Sequence, residues 1–222
     1  VLFVSHDMTA ISRLATRSLV LQDGAVVFCG PTQDAIGFYT TRRQTQAEEL
    51  SARQDRTGDG VVRLESIRFY DSQGHEVEHV GSGDALTIVV KYRSRVQRLR
   101  YEDLALDMRF TDVLGHPVTM FSTRFSSSAR GELDHEGALV CHVPRLTLAE
   151  ETYGVDLWLA YRAGLADRVI GAAELRVVTA NFYGTGQEPV KRKHGAALID
   201  HQWTARAECA EQDAPALVEQ VS

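Results

Sequence analysis

Tyr153-Gly154-Val155-Asp156-Leu157-Trp158-Leu159-Ala160 alternates without a break. Tyr153, Val155, Leu157 and Leu159 are large and apolar, and Gly154, Asp156, Trp158 and Ala160 stand between them. A period of two belongs to a strand with one buried face and one outward face. The period recurs at Leu86, Ile88, Val90 and Tyr92, at Leu104, Leu106, Met108 and Phe110, and at Leu139, Cys141 and Val143. Turn chemistry separates these runs at Asp71-Ser72-Gln73-Gly74, Gly81-Ser82-Gly83-Asp84, Gly115-His116-Pro117 and Glu136-Gly137. Many short strands with one polar face, divided by Gly and Asp turns, predict a mainly β chain built as an antiparallel β-sandwich, immunoglobulin-like or jelly-roll-like. Near its start, Val62 and Leu64 are followed by Ile67 and Phe69. That one-residue slip predicts a bulge at Glu65-Ser66.

The first 40 residues follow other rules. Val1-Leu2-Phe3-Val4 is an apolar run suited to a strand covered on both faces, ending at Ser5-His6-Asp7. Met8, Ile11, Leu14 and Ala15 follow at helical spacing, and two short apolar runs around Asp23-Gly24 predict a hairpin. Thr32 is placed to cap a further helix. From Gln33 to about Gln54 the helical pattern turns polar, and Asp55-Arg56-Thr57-Gly58-Asp59-Gly60 ends it. The expected division is an α/β remnant over 1–40, a linker helix and loop over 41–59, a sandwich over 60–205 and a polar, disordered tail over 206–222. The chain reads as the rear part of a longer protein.

A net charge of −6 gives no broad electrostatic footprint for nucleic acid. Three scattered cysteines, Cys29, Cys141 and Cys209, lack the C-x-x-C spacing of a zinc site and the even count of a disulfide framework, which fits a reducing compartment. No run approaches the 18 or so apolar residues of a membrane-spanning helix.

Strand, Ser5-His6-Asp7, helix, Leu21-Gln22-Asp23-Gly24 and Val26-Val27-Phe28-Cys29-Gly30-Pro31 resemble the end of an ABC-transporter nucleotide-binding domain from its switch histidine onward. The resemblance puts His6 in the role of a hydrogen-bond donor to the γ-phosphate of ATP. ATP and Mg would be cofactors of a full-length parent. No G-x-x-x-x-G-K-[ST] loop occurs in the 222 residues, so neither cofactor is assigned to this chain, and ATP hydrolysis by that mechanism is not expected of it alone.

Followed by a polar helix, a sandwich, Asn181-Phe182-Tyr183-Gly184-Thr185-Gly186 and Leu198-Ile199-Asp200-His201-Gln202-Trp203, this arrangement resembles the ATP-binding subunits of bacterial O-antigen polysaccharide exporters, the Wzt-like family. Glu151 departs from that family's pattern, in which glycine is common at the entry to the strand. The resemblance implies a carbohydrate-binding module that recognises the completed, undecaprenyl-linked glycan. It also implies a permease partner, a cytoplasmic position peripheral to the inner membrane, and a homodimer in which a strand over about 196–204 crosses to the partner, burying Ile199 and Trp203.

Glycan recognition needs an aromatic face for C–H stacking and planar polar side chains for hydroxyls. Alternation makes Asp107, Arg109, Asp156, Trp158 and His142 outward-facing, and they form the expected patch if their strands share one sheet, with Trp158 as its anchor. Glu150-Glu151 and Asp103/Asp107 are the carboxylates a glycosidase would draw on, but adjacent acids on a strand face opposite sides. His75 and His79 sit between turns, and their four-residue spacing assigns no metal. Ser126-Ser127-Ser128 reads as a loop, so no catalytic residue is assigned. A sandwich-fold glycan-active enzyme and a purely structural dimerisation domain are the alternatives.

Overall fold

The computed structural model describes residues 4, 8–22, 25–44, 50–126, 130–201 and 203. His6, the Asp23-Gly24 turn and the tail beyond Trp203 lie outside them. Helix α1 (Met8–Leu14) leads into an antiparallel hairpin, β1 (Arg17–Gln22) with β2 (Ala25–Pro31), and then α2 (Thr32–Gln44). Ala35 and Ile36 of α2 are buried, Phe28 stacks on Phe38 at 4.9 Å, and the Thr32 hydroxyl lies 3.0 Å from that of Ser18. Leu14, Leu19, Leu21 and Val26 remain exposed.

The rest is strand: β3 (Arg56–Thr57), β4 (Val62–Tyr70), β5 (His79–Gly81), β6 (Leu86–Ser94), β7 (Leu99–Arg100), β8 (Leu104–Thr111) and β9 (Pro117–Ser122). After α3 (Thr123–Ser126) come β10 (Glu132–Leu133), β11 (Glu136–Val143), β12 (Glu151–Tyr161), β13 (Gly164–Val178) and the short α4 (Lys191–His194). The smaller sheet runs β11-β6-β4. The larger runs β3-β13-β12-β8-β9, with β5 also paired to β13, in parallel. Short β7 and β10 form a separate pair.

Alternation fills the space between the sheets. Leu64 and Ile67 of β4 with Ile88 and Val90 of β6 oppose Leu106 and Met108 of β8, Val155 and Leu157 of β12 and Leu175 of β13, all buried in one core. The β4–β6 register slips between Leu64 and Ser66, where the apolar spacing of β4 changes.

Tyr153 is the first large residue of β12 to enter this core, and its hydroxyl donates to the Ala149 carbonyl at 2.8 Å. Burial, then the negative charges of Glu151 and Asp112, push its phenol well above the ordinary value. The fold therefore holds the neutral form, and the contribution of Tyr153 is complete below about pH 10, the unfolded value, and lost as pH rises toward the folded one. In an alkaline absorbance titration, the difference between wild type and Y153F should show no tyrosinate signal at pH 10. A signal developing with an ordinary midpoint would contradict this placement.

Candidate functional site

The outer face of the larger sheet is set by register. Trp158 of β12 stands directly opposite Asp107 of β8 on one side and Arg168 of β13 on the other, and Asp156 stands opposite Arg109. Four of the five residues expected to form a patch are thus brought together. The Arg109 guanidinium lies 4.5 Å from the Trp158 ring centroid, and that of Arg168 lies 5.3 Å away, so cations from both neighbouring strands flank the indole.

Polar contacts hold these side chains in place. Arg109 donates to Asp156 Oδ2 through Nη2 at 2.7 Å and Nε at 3.3 Å, while the Gly171 N–H donates to Asp156 Oδ1 at 2.7 Å. Asp156 is buried, and these donors replace the water its carboxyl oxygens have lost. Asp107 accepts from the Ser122 hydroxyl at 2.5 Å, with Arg124 Nε at 3.8 Å. Gly171 belongs to a register break in β13: Val155 pairs with Ala173 but Leu157 with Val169, leaving three β13 residues opposite one on β12. Arg53 caps that break from the other side, donating to the carbonyls of Gly171 at 2.7 Å and Ile170 at 2.8 Å. Hydrogen bonds from Arg53 hold the Asp55 carboxyl below its usual range, against a smaller opposing effect of burial.

Deeper in the same segment, Arg56 and Asp167 form a buried ion pair. Arg56 also donates to the carbonyls of Leu50 at 2.6 Å and Leu64 at 2.9 Å, and Asp167 accepts the Leu64 N–H at 2.8 Å. Gly58 then passes close to β13: at its φ of +129°, an added Cβ would stand 2.4 Å from the Ala166 carbonyl oxygen. Residues 50–58 are thus clamped across β4 and β13 rather than suspended beside them.

His142 does not join the patch. It lies on β11 in the other sheet, opposite Thr87 of β6, with its Nδ1 3.2 Å from the Thr87 hydroxyl. Alternation assigned it correctly to the outward face of its strand, but strand pairing put that strand in the opposite layer. It borders a cleft of about 490 Å³ at the open edge of the sandwich, lined by Leu106, Met108, Phe121, Leu139, Cys141 and Ser126 among others. Burial pushes the Cys141 thiol up. The sequence reading missed Arg168, Gly171 and Arg53. The buried Val169 beside it, which alternation sets on the opposite face from Arg168, was the one available signal for that residue.

The C-terminal segment folds back on its own chain as far as Leu198. The Ala149 N–H donates to the Ala196 carbonyl at 3.0 Å, the Leu198 N–H donates to that of Thr147 at 2.7 Å, and Leu198 packs with Ala149 and Phe182. Arg145 covers the Phe182 ring at 3.9 Å and pairs with Asp200. Ile199 and Trp203 point away, 72% and 90% exposed. Lys191 pairs with Glu151, the residue that departs from the expected glycine. Among the described residues, no cluster of three or more His, Cys, Asp or Glu side chains could hold a metal, and no helix is long and apolar enough to cross a membrane.

Two facing, mainly antiparallel sheets around one core define a β-sandwich domain. The profile of the Wzt C-terminal domain matches residues 53–188, more than half of the chain, and the chain belongs to that family. Its fold is similar to that in a crystal structure of the C-terminal domain of Wzt, with a TM-score of 0.55 at 10% identity, over 72% of this chain and 90% of that one. A comparison with curated proteins returned no match. Family membership places the chain in an ABC exporter of O-antigen polysaccharide.

Proposed function

We propose that the sandwich recognises the completed O-polysaccharide on the outer face of its larger sheet and so selects the cargo of an ABC exporter. The observation that carries this reading is the outward Trp158, held between Arg109 and Arg168 on adjacent strands. An indole offers a sugar ring an apolar face, and guanidinium and carboxylate groups beside it are planar partners for hydroxyls. Because these groups sit on paired strands rather than a loop, little order has to be gained on binding. On this reading the chain acts with a permease and with an ATP- and Mg-dependent nucleotide-binding part that includes His6, on the cytoplasmic side of the inner membrane.

Incubation of the chain with lipid-linked O-polysaccharide separates the possible roles. Retention without cleavage is the expected result. New reducing ends would mark a glycan-active enzyme, and neither outcome a structural module. The cleft beside His142 offers a second location for the sugar, supported by its volume and mixed lining.

The same reading makes the chain a homodimer through its C-terminal segment. Exposed Ile199 and Trp203 lie just beyond the pairing of residues 196–198 with residues 147–149, and a partner chain that received this strand would cover them. Light scattering on a truncation ending at residue 190 is expected to give a monomer where the full chain gives a dimer. An unchanged dimer would refute the exchange.

A further inference from the structure

Resting on the reading of the Trp158 face as the glycan site, we propose that this face selects an acidic glycan, with Arg168 binding a carboxylate or phosphate oxygen. The two acids beside Trp158 are already engaged: Asp156 by Arg109 and the Gly171 N–H, Asp107 by Ser122. Arg168 differs. No carboxylate pairs with it among the described residues, and its Nε is buried there without a hydrogen-bond partner. Buried donors in native proteins are nearly always satisfied, so one left unpaired on an outward face calls for an explanation. A ligand oxyanion supplies one. The guanidinium fork matches carboxylate and phosphate geometry, and among the described residues Arg168 has no hydrogen bond or ion pair to give up when it turns toward such a group. Its neighbours suit the task, with the Trp158 ring on one flank for the sugar and Thr57 of β3 directly opposite on the other. Glu174, the other acid on the outer face of β13, lies beyond the register break at Gly171.

Two measurements on the full chain test this. In the first, sodium methyl phosphate and sodium acetate are titrated at constant ionic strength while the Arg168 Nε–H and Trp158 indole N–H resonances are followed by NMR. A saturable shift in both is expected, stronger for whichever anion class the site prefers and absent with sodium chloride. No shift with either anion would overturn the proposal. In the second, binding to matched uronate-containing, phosphate-containing and neutral bacterial polysaccharides is compared for wild type, R168Q and R168K. Preferential retention of one acidic class is expected, reduced at least tenfold by R168Q and partly restored by R168K. Retention of neutral glycans alone, or acidic binding unchanged in R168Q, would overturn the anion assignment and leave the glycan reading standing. Methyl phosphate binding with no polysaccharide retained would instead overturn the glycan reading.

Discussion

Replacing Asp167 by Asn is expected to destabilise the sandwich by about 3–5 kcal/mol, the usual cost of removing one partner from a buried ion pair. The side chains of Arg56 and Asp167 are 4% and 3% exposed, so the variant leaves a guanidinium in the core without its counter-charge. The loss is a large fraction of the roughly 5–15 kcal/mol that holds a domain together. A urea melt should show a midpoint displaced strongly downward with the slope unchanged. Replacing both partners with apolar residues, as in R56M/D167L, strands neither charge but leaves the Leu50 and Leu64 carbonyls and the Leu64 N–H without these partners, so it should recover only part of the loss. A D167N unfolding free energy within about 0.5 kcal/mol of wild type, the range of ordinary surface substitutions, would show that the pair is not buried as described.

Replacing Trp158 by Ala is expected to cost glycan binding about 2–4 kcal/mol, as for the anchoring aromatic of an interface, which is roughly 30- to 1,000-fold in affinity. The fold should persist, because Trp158 faces outward while its strand neighbours Leu157 and Leu159 carry the core contacts. W158F should fall between, keeping a ring but less of its face. If Trp158 served only to hold Arg109 and Arg168 in place, the variant would instead lower the melting temperature and leave binding intact.

Much of this could be read from sequence because it is local. The alternation at 86–93, 104–110, 139–143 and 153–160 gave strands and inward residues that match β6, β8, β11 and β12, and the slip after Leu64 marked a real bulge. Face is a local property and sheet membership is not. Asp107, Arg109, Asp156 and Trp158 meet because β8 and β12 pair, whereas His142 obeyed the same alternation and landed in the other layer.

The longest strand, β13, was not anticipated. Its pattern is interrupted by the register break around Gly171 and by Asp167, a carboxylate that points into the core, so Arg168 on its outer face went unread. Arg53 and Arg56 were read as polar linker because their partners, Ile170, Gly171 and Asp167, lie more than 100 residues later in the chain. Charge in such a stretch signals solvent only when no buried acceptor or carboxylate folds back to meet it.

The most direct test of the account is chemical-shift mapping of the 222-residue chain titrated with O-polysaccharide purified from the same cells. Perturbations centred on the Trp158 indole and spreading to Arg109, Asp107 and Arg168 are the predicted result. Perturbations confined to the cleft around His142, or none at saturating polysaccharide, would contradict it.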